Sequence, residues 1–165
     1  MELDQIIGAV LQQLDEPRRK LLDAAESVHL AFMREPYMRL ILEGKKTVES
    51  RFSRNRVIPF QQVANGDALI FKKSSGPIVA LSFANGTGFH VNEDGCWGDV
   101  AKKFSKAICV DDAFWPRMRE RRYCTLIGLT GVTPLQPIMV EKAKGDRRAW
   151  IILRDNTQPA LGDIL

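Results

Sequence analysis

The stretch that decides the fold is Gly44-Lys45-Lys46-Thr47-Val48-Glu49-Ser50-Arg51-Phe52-Ser53-Arg54-Asn55-Arg56. It holds five basic residues, one carboxylate and three hydroxyl side chains. Ahead of it, Tyr37, Leu40 and Ile41 recur at helical spacing. Gly44 stands where a helix C-cap stands, a position that favours a residue without a Cβ. After the glycine the pattern is that of a strand. Val48, Ser50 and Phe52 fall on one face, and Thr47, Glu49, Arg51 and Ser53 on the other. A helix end, a glycine turn and a charged strand in quick succession hold a lysine, a glutamate and an arginine together on a rigid element. Two readings are open. One is a solvated strand face with Glu49 neutralised by Arg51. The other is a site for a polyanion or a nucleotide.

Charge supports the second reading. Residues 1–26 carry six acids against three bases, a net of −3, whereas the whole chain of 165 residues is +4. The remainder is therefore +7, a basic body behind an acidic leader, which suits a polyanionic partner. The length fits one domain with an appendage and room for a sizeable core. No apolar run is long enough to cross a bilayer, and the N-terminus lacks the pattern of a signal peptide. A cytoplasmic protein with no membrane partner is expected. Cys96, Cys109 and Cys124 are odd in number and widely spaced, and His29 and His90 are the two histidines. Reduced, partly buried thiols are expected, with no metal site and no cofactor.

Outward from the central stretch, the leader reads as a helical hairpin. Leu3, Ile6, Ile7, Val10, Leu11 and Leu14 share a helical stripe, and Asp15 precedes Pro17 as an N-cap for a second helix ending near Glu26. Residues 1–26 are expected to dock on the body or on a partner, a second copy of the chain included. The body then gives strands at Val28–Met33, Ala68–Phe71, Ile78–Phe83, Tyr123–Leu129 and Arg148–Leu153. Phe89–Val91 extends the sheet beyond a loop or bulge at Asn85–Gly88. Val132–Val140, broken by Pro134 and Pro137, reads as an edge. Helices are expected over about 97–106 and over Ala113–Arg122. The sum is an α+β domain, a small mixed β-barrel over residues 27–154, with a tail over 155–165.

Gly44, Lys46, Glu49 and Arg51 match G-x-K-x-x-E-x-R, and on this motif the chain resembles the ASCH domain family, a branch of the PUA-like β-barrels. The helix Tyr37–Leu42, the strand opening at Gly66-Asp67-Ala68-Leu69, Phe114-Trp115, Arg122–Ile127 and Arg147–Trp150 extend the resemblance over about residues 28–154. It implies RNA or nucleotide recognition. It also implies, as an alternative, a metal-independent hydrolase acting on RNA or on a modified nucleoside such as N4-acetylcytidine. The amidohydrolase type of the family is similar to a lysine–threonine–glutamate site. Lys46 matches its lysine, Glu49 stands where it has threonine, and Thr47 is out of register.

Chemistry assigns roles to the same residues. Lys46, Arg51, Arg54, Arg56 and Arg148 can neutralise phosphates, with Ser53 beside them. Trp150 or Tyr123 can stack an unpaired base, while Trp97 and Trp115 read as core. For hydrolysis, Glu49 is the candidate base and Lys46 or Arg51 the cation facing the developing charge. Lys46 as a nucleophile suits amide cleavage, and His90 is a spare general acid.

Overall fold

The computed structural model describes residues 1–93 and 95–156. Its frame is a six-stranded mixed sheet in the order β2-β5-β4-β3-β1-β6. The strands are β1 Ser27–Met33, β2 Val48–Ser53, β3 Ala68–Lys73, β4 Ile78–Val91, β5 Tyr123–Ile138 and β6 Trp150–Asp155. β1 and β3 run parallel, and the other neighbours are antiparallel. The helices are α1 Ile6–Leu11, α2 Glu16–Ala24, α3 Tyr37–Leu42, α4 Gly98–Ile108 and α5 Phe114–Arg117. The class is α+β, as expected.

The expected closure into a barrel is absent from the strand pairing, in which β2 and β6 are the two ends. Those ends still come within reach of one side chain. Arg51 on β2 donates to the carbonyl of Ala149, just before β6, at 3.3 Å, and to that of Phe32 on β1 at 2.9 Å. The sheet curls until a guanidinium, rather than a backbone ladder, spans its seam.

Two expected pairs of segments fuse into long strands. β4 runs through Asn85–Gly88 with a register shift between Ala84 and Thr87. β5 contains both prolines, and its pairing shows why it tolerates them. β2 pairs only with Tyr123 to Gly128, so Pro134 and Pro137 lie where β5 has β4 as its sole strand neighbour. The helix expected over Ala113–Arg122 shrinks to Phe114–Arg117. Tertiary bonds claim the residues after Arg117. The Met118 carbonyl accepts from Trp97 Nε1 at 2.9 Å, and the Arg122 N–H donates to Ser53 at 2.9 Å. β6 begins at Trp150, two residues later than expected. Of the tail expected over 155–165, residues 157–165 lie outside the described ones.

Alternation along β1 divides the core. Val28, Leu30 and Phe32 point to one face, where they meet Ile6, Val10, Leu14 and Leu22 of the leader. Ala31 and Met33 point to the other, against Met38 and Ile41 of α3. β1 is buried along its whole length. The leader is thus a layer of the core. Asp15 caps α2 by accepting from the Arg18 N–H at 3.0 Å. Arg154 Nη2 donates to the Leu22 and Ala25 carbonyls at 2.6 and 2.8 Å, closing the other end of α2. Gln13 Nε2 donates to the Gln136 carbonyl at 3.1 Å, and the Gln136 N–H donates to Gln13 Oε1 at 2.7 Å. The apolar stripe read as a docking surface is docked within the chain, leaving Met1, Leu3 and Leu21 as its exposed large apolar side chains.

A third cluster forms where α4 and α5 meet β2 and β5. Phe52 sits in an aromatic nest, 5.3 Å from Trp97, 5.5 Å from Phe114 and 5.9 Å from Trp115 between ring centroids. Trp97 is buried, as expected, while Trp115 is half-buried and packs against this cluster. Elsewhere the core holds one polar trio. Trp150 Nε1 donates to His29 Nδ1 at 3.1 Å, and His29 Nε2 lies 2.8 Å from Asp67 Oδ2. An indole N–H only donates, so Nδ1 accepts and Nε2 carries the proton given to Asp67. Asp67 also accepts from the Ser27 and Ala64 N–H groups.

Candidate nucleic-acid site

The site starts from the end of α3. Gly44 has φ +74°. Its N–H donates to Ile41 at 3.0 Å, and that of Lys45 to Leu40 at 2.9 Å, the paired bonds of a Schellman cap. The Lys46 N–H joins the same Leu40 carbonyl at 3.0 Å. The chain therefore reverses tightly and turns Lys46 inward.

Lys46 is 3 % exposed. Its Nζ donates to the Ile108 carbonyl at 3.1 Å, at the C-terminus of α4, where the helix carries partial negative charge. It lies 3.9 Å from Glu49 Oε1 and 5.3 Å from the centre of the Tyr37 ring. Burial pushes the Lys46 ammonium below the ordinary lysine range, and the neighbouring Glu49 offsets part of that shift.

Glu49 is likewise 3 % exposed. Its Oε1 accepts from the Ser50 N–H at 2.6 Å. Its buried Oε2 has no hydrogen-bond partner and stands 3.7 Å from Arg51 Nη2. Arg51 is held by the two backbone carbonyls of the seam and by Met33 Sδ at 3.1 Å, with its guanidinium 5.1 Å from the Trp150 ring centre. Strand alternation thus sets Glu49 beside Arg51, and the Gly44 turn brings Lys46 to them.

These three line a cleft of about 620 Å³. Arg34, Arg121, Lys142, Arg147 and Arg148 also line it, so seven cations face a single carboxylate, Glu49, among its described lining residues. Asp146 grips Arg148 at 2.8 Å, and those hydrogen bonds hold the Asp146 carboxyl down to about 2. Beyond Arg51 lies a second cavity of about 410 Å³. Its walls include Phe52, Val57, Ile58, Pro59 and Trp150, with Arg51 and Arg148 at the boundary. Among the described residues no three His, Cys, Asp or Glu side chains are placed to share a metal ion. No helix among them is long and apolar enough to cross a membrane.

The other expected contacts separate. Ser53 lines the second cavity. Arg54 pairs with Glu120 at 2.8 Å. Arg56 lies over the Phe60 and Tyr123 rings, 5.6 Å from each centre, so Tyr123 packs beyond the cleft. Trp150 requires correction. At 3 % exposed, with its N–H committed to His29, it is core and a cavity wall rather than an open stacking platform. His90 lies across the sheet from Cys124 and lines neither cavity.

Sequence reasoning missed Arg34, Arg121, Lys142 and Arg147 as members of the cleft. The run from Glu141 to Arg148 carries the one usable signal, four bases on the approach to β6.

The ASCH family model matches residues 32–152 of this chain, a span that contains the whole seam. The chain belongs to the ASCH domain family. Among solved structures, an ASCH protein from Zymomonas mobilis is similar at 15% identity and TM-score 0.55, over 67% of this chain and 72% of that one. A tyrosine-to-phenylalanine variant of the Zymomonas mobilis protein aligns at TM-score 0.61, also 15% identical, over 78% of this chain and 91% of that one. At such identity the likeness is one of fold. No curated protein matches the chain. The leader α1–α2 lies outside the span matched to the ASCH domain, although it shares the domain's core.

Proposed function

We propose that this ASCH domain binds RNA or a nucleotide in the cationic cleft at its seam. One observation carries the reading: seven cations converge on a cavity of about 620 Å³ lined by the buried Lys46 and Glu49 and the half-buried Arg51. Like charges repel one another, so their convergence is best explained by an anionic ligand that compensates them. Phosphate fits, because guanidinium groups bind it through paired hydrogen bonds. The test is binding to single-stranded RNA across a salt series. Affinity should fall log-linearly with salt, by about 0.7 in slope for each phosphate contact. Arg51→Ala combined with Lys46→Met should weaken binding at low salt. Equal affinity of the wild type and the double variant sinks the proposal.

A second reading is favoured by the one carboxylate among the cleft's described lining residues, Glu49, set 3.9 Å from Lys46 Nζ and 3.7 Å from Arg51 Nη2. In a metal-independent hydrolase of RNA or a modified nucleoside, Glu49 is the base and Lys46 or Arg51 stabilises the developing charge. Turnover should then persist in chelator and vanish in Glu49→Gln while the fold is kept. Full activity in that variant removes the role.

A further inference from the structure

The two cavities share a wall. Arg51, Phe52, Arg148 and Ala149 line both, so the seam between β2 and β6 is one groove divided by a sill. The sill is fixed, since Arg51 is clamped by the Phe32 and Ala149 carbonyls and stacked on Trp150. The two sides differ in chemistry. On one side positive charge is concentrated. Lys142 and Lys72 approach the same Phe32 ring, at 4.4 and 5.3 Å from its centre, and donate to the Arg148 and Lys73 carbonyls. Burial and Lys142 both push the Lys72 ammonium below its ordinary range. On the other side the slot is walled by Phe52, Val57, Ile58, Pro59 and Trp150, with Thr125 and Ser53 supplying hydroxyls.

A ligand that fills both sides must join an anionic group to a flat, apolar-faced group with a polar edge. We propose that an unpaired nucleotide lies astride Arg51, its phosphate in the cationic cleft and its base in the apolar slot. This rests on the nucleic-acid reading above and adds to it an orientation and a base-holding wall, Val57–Pro59. A paired base cannot enter such a slot without leaving its stack, so the site selects single strands. The slot has the volume for one base, and the guanidinium sill offers a cation to its face.

Calorimetry and fluorescence test this on the full chain. Adenosine 5′-monophosphate should bind at least about fivefold more tightly than ribose 5-phosphate, the factor that one stacked base contributes. Val57→Asn changes a half-exposed slot residue and should cut nucleotide affinity about threefold to tenfold while leaving ribose 5-phosphate unchanged. Lys142→Ala should weaken both probes and lower the salt slope. A single-stranded RNA carrying 2-aminopurine should change its emission on binding, and a duplex of that sequence should bind more weakly. If RNA binds with unchanged emission, and the nucleotide binds no better than ribose 5-phosphate, the orientation is overturned and the phosphate reading stands. If neither RNA nor nucleotide binds, both fall.

Discussion

Two polar trios meet at Trp150, which belongs to one and lies under the Arg51 guanidinium of the other, and they differ in completeness. His29, Asp67 and Trp150 close on themselves. Both His29 ring nitrogens have partners, and Asp67 accepts from two backbone N–H groups besides. Lys46, Glu49 and Arg51 do not close. Their charged atoms stand 3.9 and 3.7 Å apart, and Glu49 Oε2 has no hydrogen bond. A satisfied network in low dielectric rigidifies a core. An unsatisfied one opening on a cleft retains capacity for a ligand. Lys46 and Glu49 are as buried as Asp67, so burial of the charged groups does not by itself distinguish structure from site. Hydrogen-bond accounting does.

The largest effect that tests this contrast is on stability. Asp67→Ala orphans the His29 Nε2 proton and the Ser27 and Ala64 N–H groups, and should destabilise the fold by about 3 kcal/mol in denaturant titration. An unchanged midpoint would break the comparison at its firmer end. Arg51 should behave oppositely. Arg51→Lys loses the planar fork that reaches two carbonyls, so RNA affinity should fall about tenfold while stability changes by about 1 kcal/mol. A variant that unfolds instead would make the seam structural.

Lys46 sharpens the contrast through pH. Its pKa is lowered in the folded chain by burial, whereas the unfolded chain keeps the ordinary value of 10.5. Between those two values the unfolded state holds more protons, so the Lys46 contribution to stability rises as pH rises. Anion binding should move the other way, weakening as Lys46 loses its proton below pH 10.5. Paired stability and RNA-binding profiles check the opposite signs, and Lys46→Met should flatten the difference. The smallest effect is a reporter. Burial pushes the Cys124 thiol up to about 12, so its alkylation requires the sheet to open. Asp67→Ala should speed that labelling by mass spectrometry, and Arg51→Lys should leave it slow.

What was legible in the sequence was local. The Gly44 cap, the alternation that puts Glu49 beside Arg51, and the Asp15 cap are set by neighbours a few residues apart, and each appears in the structure. What was illegible depends on distant segments. Arg34, Arg121 and Lys142 enter the cleft from separate connections, and no spacing rule relates them to Lys46. Arg54 resembles Arg51 in charge and differs only in what the fold places beside it, Glu120 rather than the seam. Trp150 misled because flanking arginines suggest an exposed strand, while its indole turns inward to His29. The shortening of α5 has the same origin, since bonds from Trp97 and to Ser53 outweigh local helix preference.

Gln13 has a consequence of another kind. Beyond Gly128, β5 has β2 on neither side, and such a bare strand rim invites a rim from another molecule. The Gln13 amide answers the Gln136 carbonyl and N–H together, in the way a neighbouring strand would. A side chain from the acidic leader thereby acts as a counterfeit strand. The leader's service to the domain is colloidal as well as structural: it denies one growth point for sheet-to-sheet association in a crowded solution.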